Sequence, residues 1–188
     1  MQGRGIDSNL NEVGKQQAIR FFEQYRSIPF DKIYTSSLKR TWETVKGFID
    51  LGIPWEKLDG LDEMAWGIFE GKPADQTREG FKALLAQWAS GNYHASITGG
   101  ESPLEVQSRQ KSTIDYILTK LQEKTILICM HGRAIRILLC LLTGTALKDM
   151  DTFPHQNLSL YRLSWDGKEF KVLEFNNTLH LEENSPNT

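Results

Sequence analysis

Apolar residues recur at helical spacing near the start of the chain, with Val13, Ala18, Ile19, Phe21, Phe22 and Tyr25 on the repeat, and predict a helix over 11–26. Asn11 is placed to cap it, and Pro29 lies just past its end. The pattern then shortens. Residues 31–35 read as a short strand, and Ser36 and Ser37 offer cap chemistry for a helix running to about residue 50. Gly52 and Pro54 lead to Glu56-Lys57-Leu58, a candidate second strand. The aromatic, acidic, glycine-punctuated run over 61–71 suits a structured loop better than a regular element. Helical spacing returns over 76–90 and stops at Gly91. After the turn at Gly99-Gly100, Ser102-Pro103-Leu104-Glu105 forms a capping box with proline at the first helical position, opening a helix to about residue 122.

The C-terminal third carries the sharpest signal. Ile126-Leu127-Ile128-Cys129 is a short apolar run, and it delivers Met130-His131-Gly132 onto a helix that ends near Leu142 and Gly144. Segments 158–165 and 170–175, joined by Asp166-Gly167, read as a hairpin. Strands alternating with helices predict a three-layer α/β/α sandwich with a mostly parallel sheet, the hairpin adding an antiparallel edge. The expected organisation is one domain over 1–181 with a small cap or insert at about 64–98, and a frayed tail over 182–188.

Composition narrows the function classes. The 188 residues hold 22 Lys and Arg against 24 Asp and Glu, so no global basic field points to nucleic acid or an anionic membrane. No apolar run approaches the ~20 residues needed to span a bilayer. Cys129 and Cys140 sit in apolar surroundings and read as small buried hydrophobes in a reducing compartment. The expectation is a soluble, cytoplasmic protein with no nucleic-acid or membrane partner.

Four features converge at the carboxyl ends of such a sheet, where open α/β folds bind anions at helix N-termini. His131 with Gly132 follows a strand and opens a helix, where an imidazole and backbone N–H groups can meet a phosphate. Arg40, one turn into a helix, can grip phosphate oxygens bidentately, or it can be a solvated surface cation. Glu63 sits near Trp66 and Phe69; apolar surroundings would raise its pKa and suit it to acid–base work, whereas the simpler reading makes it a cap for a neighbouring backbone N–H. The Gly99-Gly100-Glu101-Ser102 turn reads mainly as a helix cap, with Arg109 placed to hold it by an ion pair. A metal site of His131, His155 and Glu63 would lack metal-type spacing such as H-x(3)-H or C-x(2)-C.

Together these segments resemble the histidine phosphatase superfamily, the phosphoglycerate mutase-like fold. Gln2-Gly3 followed by Leu10-Asn11-Glu12-Val13-Gly14-Lys15-Gln16-Gln17-Ala18 is similar to the family's Q-G…L-T-x-x-G-x-x-Q-A segment. Ser36-Ser37-Leu38-Lys39-Arg40-Thr41-Trp42-Glu43-Thr44 is similar to S-S-x-L-x-R-A-x-x-T. Glu63, Gly67, Glu70 and Gly71 fit E-x(3)-G-x(2)-E-G, Gly100-Glu101-Ser102 with Arg109 fits G-E-S-x(6)-R, and Cys129-Met130-His131-Gly132 fits the strand ending in S-H-G. Asn157 and the Asn177-x-x-His180-Leu181 segment agree as well.

The resemblance implies phosphoryl transfer through a phosphohistidine without metal or cofactor. Carried over by position, Arg40 and His131 hold the phosphate, Glu63 is the acid/base, Gly132 N–H assists, and Gln2 and Gly3 contact substrate at the rim. The implied activity is a phosphomonoesterase on a small phosphorylated metabolite. A mutase fits less well, because the segment between Glu63 and Gly99 is short. The alternative is a non-catalytic phosphate-binding module.

One family element is missing. The nucleophilic histidine belongs to an Arg-His-Gly on a first, central strand before Gln2, and this sequence holds no such triplet; His94, His155 and His180 sit in contexts that do not match. Two explanations compete: a shortened version of an ordinary enzyme in which Met1 is an internal methionine, or a non-catalytic descendant. Either way the chain is expected to lack the first central strand, with the unpaired backbone met by another segment or by a neighbouring copy, as in a homodimer.

Overall fold

In β1 (Lys32–Thr35) the side chains of Ile33 and Tyr34 are both wholly buried and join different apolar clusters, so this one strand separates two layers of helices. The computed structural model describes residues 1–182. In it β1 pairs in parallel with β2 (Trp55–Lys57) on one side and β3 (Ile126–Cys129) on the other, giving the order β2-β1-β3 with Ile33 opposite both Trp55 and Leu127. Ile33 and Leu127 pack with Phe21 of α1 (Glu12–Tyr25) and Phe48 of α3 (Lys46–Asp50). Tyr34, Ile126 and Ile128 pack with Ile114 and Ile117 of α5 (Pro103–Leu118) and Leu138 of α6 (Gly132–Thr143). Helices therefore cover both faces, as a parallel sheet requires.

A third cluster lies beside the sheet. Leu84 and Trp88 of α4 (Ala74–Ala89) are buried with Met64, Trp66, Val106, Ile137 and Met150, so the segment between the Glu63 loop and α5 is packed firmly onto α6. Burying side chains of this size contributes ~1.5–3 kcal/mol each. Trp66 stacks near Phe81 and Trp88, which gives it the packing role that large aromatics usually have.

Three local expectations need correction. The helix expected over 36–50 is two pieces, α2 (Lys39–Thr44) and α3, broken at Val45. The break turns both Val45 and Phe48 into the core, and a Cβ on Gly47 would lie 2.7 Å from the Phe22 ring that packs there. Ser36 and Ser37 are not the N-cap of this helix, which is Leu38 without a side-chain bond; the Ser36 hydroxyl does accept from Leu38 N and bond Thr41, but it also reaches His131, and the Ser37 hydroxyl goes to Asp62. The hairpin of β4 (Leu160–Trp165) and β5 (Phe170–Asn177) forms as expected but makes its own two-stranded sheet instead of extending the first.

The sheet consequently ends at β3. Along β3 lies a cavity of about 600 Å³, with Leu127, Ile128 and Cys129 in one wall and Leu158, Ser159 and Leu160 in another. Among the described residues no strand pairs with the outer edge of β3. The expected frayed tail lies, apart from Glu182, outside the described residues.

Candidate active site

At the end of β3 the chain passes through His131 in extended conformation and enters α6, so the imidazole stands at the sheet's carboxyl edge beside a helix N-terminus. It is buried, and both ring nitrogens are engaged. Nε2 lies 2.8 Å from Ser36 Oγ, and Nδ1 accepts from Arg40 Nε at 3.2 Å. Burial, joined by the positive charges of Arg40 and Arg109, pushes the His131 pKa down to about 3. At neutral pH it is an uncharged hydrogen-bonding group.

Glu63 fulfils the simpler of its two readings. Its carboxylate caps α6: Oε1 accepts from Ala134 N at 2.9 Å and from Met64 N at 2.9 Å, while Oε2 accepts from Arg133 N at 3.2 Å. It is buried and also lines the cavity. Burial raises its pKa, against the opposing pull of these amides and of Arg40. A carboxyl held this way sits at the positive end of α6 and faces the same space as His131.

Arg40, in the first turn of α2, lines the cavity half-buried and reaches back to the N-terminal segment, donating from Nη1 to Ile6 O at 2.6 Å and from Nη2 to Gly3 O at 3.4 Å. Gln2 lies in the cavity wall. Gly3 does not; its backbone supports Arg40, and a Cβ there would collide with the Glu70 carboxylate at 2.1 Å. Gly132 opens α6 in the cavity wall.

Arg109 holds the surrounding loop. It donates to both oxygens of Glu101, at 2.8 and 3.0 Å, and to the main-chain carbonyls of Gly60, Asp62 and Glu63. Glu101 Oε2 in turn accepts from Ala65 N, and Glu101 N donates to Ala65 O. The turn at Gly100-Glu101-Ser102 is thus a brace that fixes the backbone of Glu63 while also opening α5 through the predicted capping box.

Sequence reasoning gave Ser36 only a capping role, gave His155 a role only in a metal reading that lacked the spacing, and gave Asp62 none. Ser36 bonds His131, Thr41 and Leu38 N. Asp62 receives Ser37 N, Ser37 Oγ and Arg4 Nε. His155 stands in the cavity wall with Arg40, Glu63 and His131. Among the described residues no group of three or more His, Cys, Asp or Glu is placed to hold a metal ion. No described helix is long and apolar enough to cross a membrane. Burial pushes the thiols of Cys129 and Cys140 up to about 12 and about 11, so neither is a thiolate nucleophile near neutral pH.

A family model described as the histidine phosphatase superfamily (branch 1) matches residues 1–178. The chain belongs to the histidine phosphatase superfamily. Among curated relatives of this superfamily member, it is 26% identical over 179 residues to phosphoserine phosphatase 1 of Hydrogenobacter thermophilus, covering 95% of this chain and 85% of that protein. It is 28% identical over 188 residues to a probable phosphoglycerate mutase of Yersinia pestis, covering 97% and 87%. The solved structure of Bacillus stearothermophilus YhfR superposes with a TM-score of 0.84 at 27% identity, covering 97% of this chain and 91% of that one. For a histidine phosphatase, the braced Glu63 loop, Arg40 and His131 fall around one cavity at the expected end of the sheet.

Proposed function

We propose that the cavity is the phosphate site of a phosphomonoesterase that acts, without a cofactor, on a small phosphorylated metabolite through a phosphohistidine. One observation carries this reading: Arg40, Glu63 and the adjacent pair His131-Gly132 come from three separate stretches of sequence and line a single cavity beside the N-terminus of α6. Arg40 supplies fixed positive charge for the equatorial phosphoryl oxygens, the Gly132 amide supplies an N–H donor, and His131 supplies a second by turning its Nε2–H from Ser36 to a phosphoryl oxygen. Glu63 protonates the leaving oxygen and later activates water, as burial fits it to do. Gln2 contacts the substrate at the rim, and Gly3 acts through Arg40. The packed segment 64–98 forms a small cap that shapes specificity.

The covalent step requires an imidazole nucleophile opposite this pocket, which none of the four residues supplies. The 188-residue chain alone is therefore proposed to bind phosphate but to turn over little. Hydrolysis of p-nitrophenyl phosphate near pH 6 tests this with two forms, the chain as given and one extended upstream through an encoded Arg-His-Gly. Turnover by the extended form alone, abolished by His131→Ala, is the expected result. Silence from both forms leaves a non-catalytic phosphate-binding module in its place.

A further inference from the structure

His155 lies in the loop before β4 and belongs to none of the motifs that carry the family resemblance, yet it lines the same cavity as Arg40, Glu63 and His131. Its ring is pressed against the start of α6. A Cβ built on Gly132 would sit 2.7 Å from His155 Cδ2 and 2.9 Å from Nε2, so the imidazole takes up space that only a glycine leaves open. Its other side is anchored: Nδ1 lies 3.3 Å from Ser159 Oγ, and the Ser159 amide closes a turn onto Gln156 O at 3.0 Å. That hydroxyl makes no other hydrogen bond among the described residues. When it donates to Nδ1, the ring proton resides on Nε2.

The two imidazoles of the cavity differ in what they have left to offer. His131 spends both nitrogens, on Arg40 and Ser36. His155 spends one, and its Nε2 has no protein partner among the described residues although the ring is half-buried. The same holds for the backbone beside it. Arg133 N and Ala134 N are taken by Glu63, whereas Gly132 N makes no hydrogen bond among the described residues. Two adjacent groups, one ring nitrogen and one amide, thus remain unspent where Arg40 and the helix dipole favour an anion.

The geometry points to His155 as a further ligand-binding residue of this site, its Nε2–H meeting a phosphoryl oxygen beside the Gly132 amide. This assignment rests on the phosphate reading above. Burial and the charge of Arg136 hold the ring below the usual histidine range, which keeps it a neutral N–H donor near pH 7.

Inorganic phosphate titrated into the 188-residue protein at pH 7, read by calorimetry and by the imidazole nitrogen resonances, tests it. Phosphate is expected to shift the His155 Nε2 resonance. His155→Ala is expected to weaken binding about tenfold, as loss of a hydrogen bond to a charged group does. His155→Gln, which restores an N–H near the Nε2 position, should recover much of the loss, which mere packing would not explain. Arg40→Ala separates the two claims. If Arg40→Ala weakens binding while His155→Ala and the His155 resonance are indifferent, the His155 assignment falls and the phosphate site stands. If the unaltered protein binds no phosphate, or Arg40→Ala leaves binding unchanged, the phosphate reading falls and takes His155 with it. Should His155→Ala fail to fold, the resonance shift in the unaltered protein decides alone.

Discussion

Arg40 donates from Nε to His131 Nδ1 at 3.2 Å, and this single bond decides where the His131 proton sits. With Nδ1 an acceptor, the neutral ring carries its hydrogen on Nε2 and donates to Ser36 Oγ at 2.8 Å. Imidazole nitrogen spectra of the free protein should show His131 as the neutral Nε2–H tautomer at pH 7 and still at pH 5. Arg40→Gln should raise its pKa, since a neighbouring cation is removed, yet leave it below the ordinary value, because burial is the larger cause. A His131 that protonates near pH 6.5 in the unaltered protein would contradict the bonding described.

The same shift sets a sign for stability against pH. The His131 pKa is about 3 when folded and ~6.5 when unfolded, so between these values the unfolded chain binds more protons. Stability should fall as pH drops from about 6.5 towards 3. His155 and His180, also lowered by burial, act in the same direction. Glu63, raised by burial, acts oppositely, its contribution being lost as pH rises. The clean readout is a difference: urea midpoints from pH 7.5 to 4.5 should slope less for His131→Asn than for the unaltered protein. Equal slopes would remove His131 from the acid limb.

Local grammar was what the sequence disclosed. Asn11 accepts from Gly14 N as a cap, Ser102 and Glu105 close their box, and Gly144 ends α6 at a φ of +69°, each within a few residues of the signal that predicted it. Motif resemblance added Arg40, Glu63, His131 and Gly132, which meet in one cavity. Ser36 keeps a local bond to Leu38 N but shares its hydroxyl with His131, 95 residues away, and Ser37 gives its own to Asp62, 25 residues away; neither tertiary partner could be read from the local sequence. The break at Val45 depends on Phe22 packing against Gly47, which no periodicity records. His155 was legible only through the path of the loop that brings it to Gly132.

Arg109 should matter more to folding than any other exposed or half-exposed cation near the site. It satisfies both oxygens of Glu101 and three main-chain carbonyls, and the pair is largely shielded from water. Arg109→Ala should cost ~3 kcal/mol by urea unfolding, because a buried carboxylate and several carbonyls lose their donor. Arg109→Lys should not restore it, since a single ammonium cannot reach this forked set of acceptors. A loss under ~1 kcal/mol, the range of surface ion pairs, would show that the brace is slack.

Ser102 isolates the capping box from the brace. Its hydroxyl accepts from Glu105 N at 3.3 Å and donates to Glu105 Oε2 at 2.7 Å. Ser102→Ala should lower stability by ~1 kcal/mol, the usual worth of an N-cap, while leaving phosphate affinity unchanged. A change in affinity would instead mean that the start of α5 transmits to the Glu63 loop.

Glu63 carries two jobs that one substitution can separate. Glu63→Gln can keep an oxygen at the Oε1 position, which holds Met64 N and Ala134 N, but it turns an amide N–H towards Arg133 N at the longer 3.2 Å contact. That donor facing a donor should cost ~1–3 kcal/mol of stability and leave the protein folded. The proposed acid role predicts a further, substrate-dependent effect in a form that carries Arg-His-Gly and turns over. Alkyl phosphates need their leaving oxygen protonated, so kcat on them should drop ~10²–10⁴-fold, the range of a general acid. p-Nitrophenolate leaves without a proton, so hydrolysis of its ester should fall far less. Equal losses on both substrates would reduce Glu63 to the cap of α6 and hand the leaving-group proton to another group.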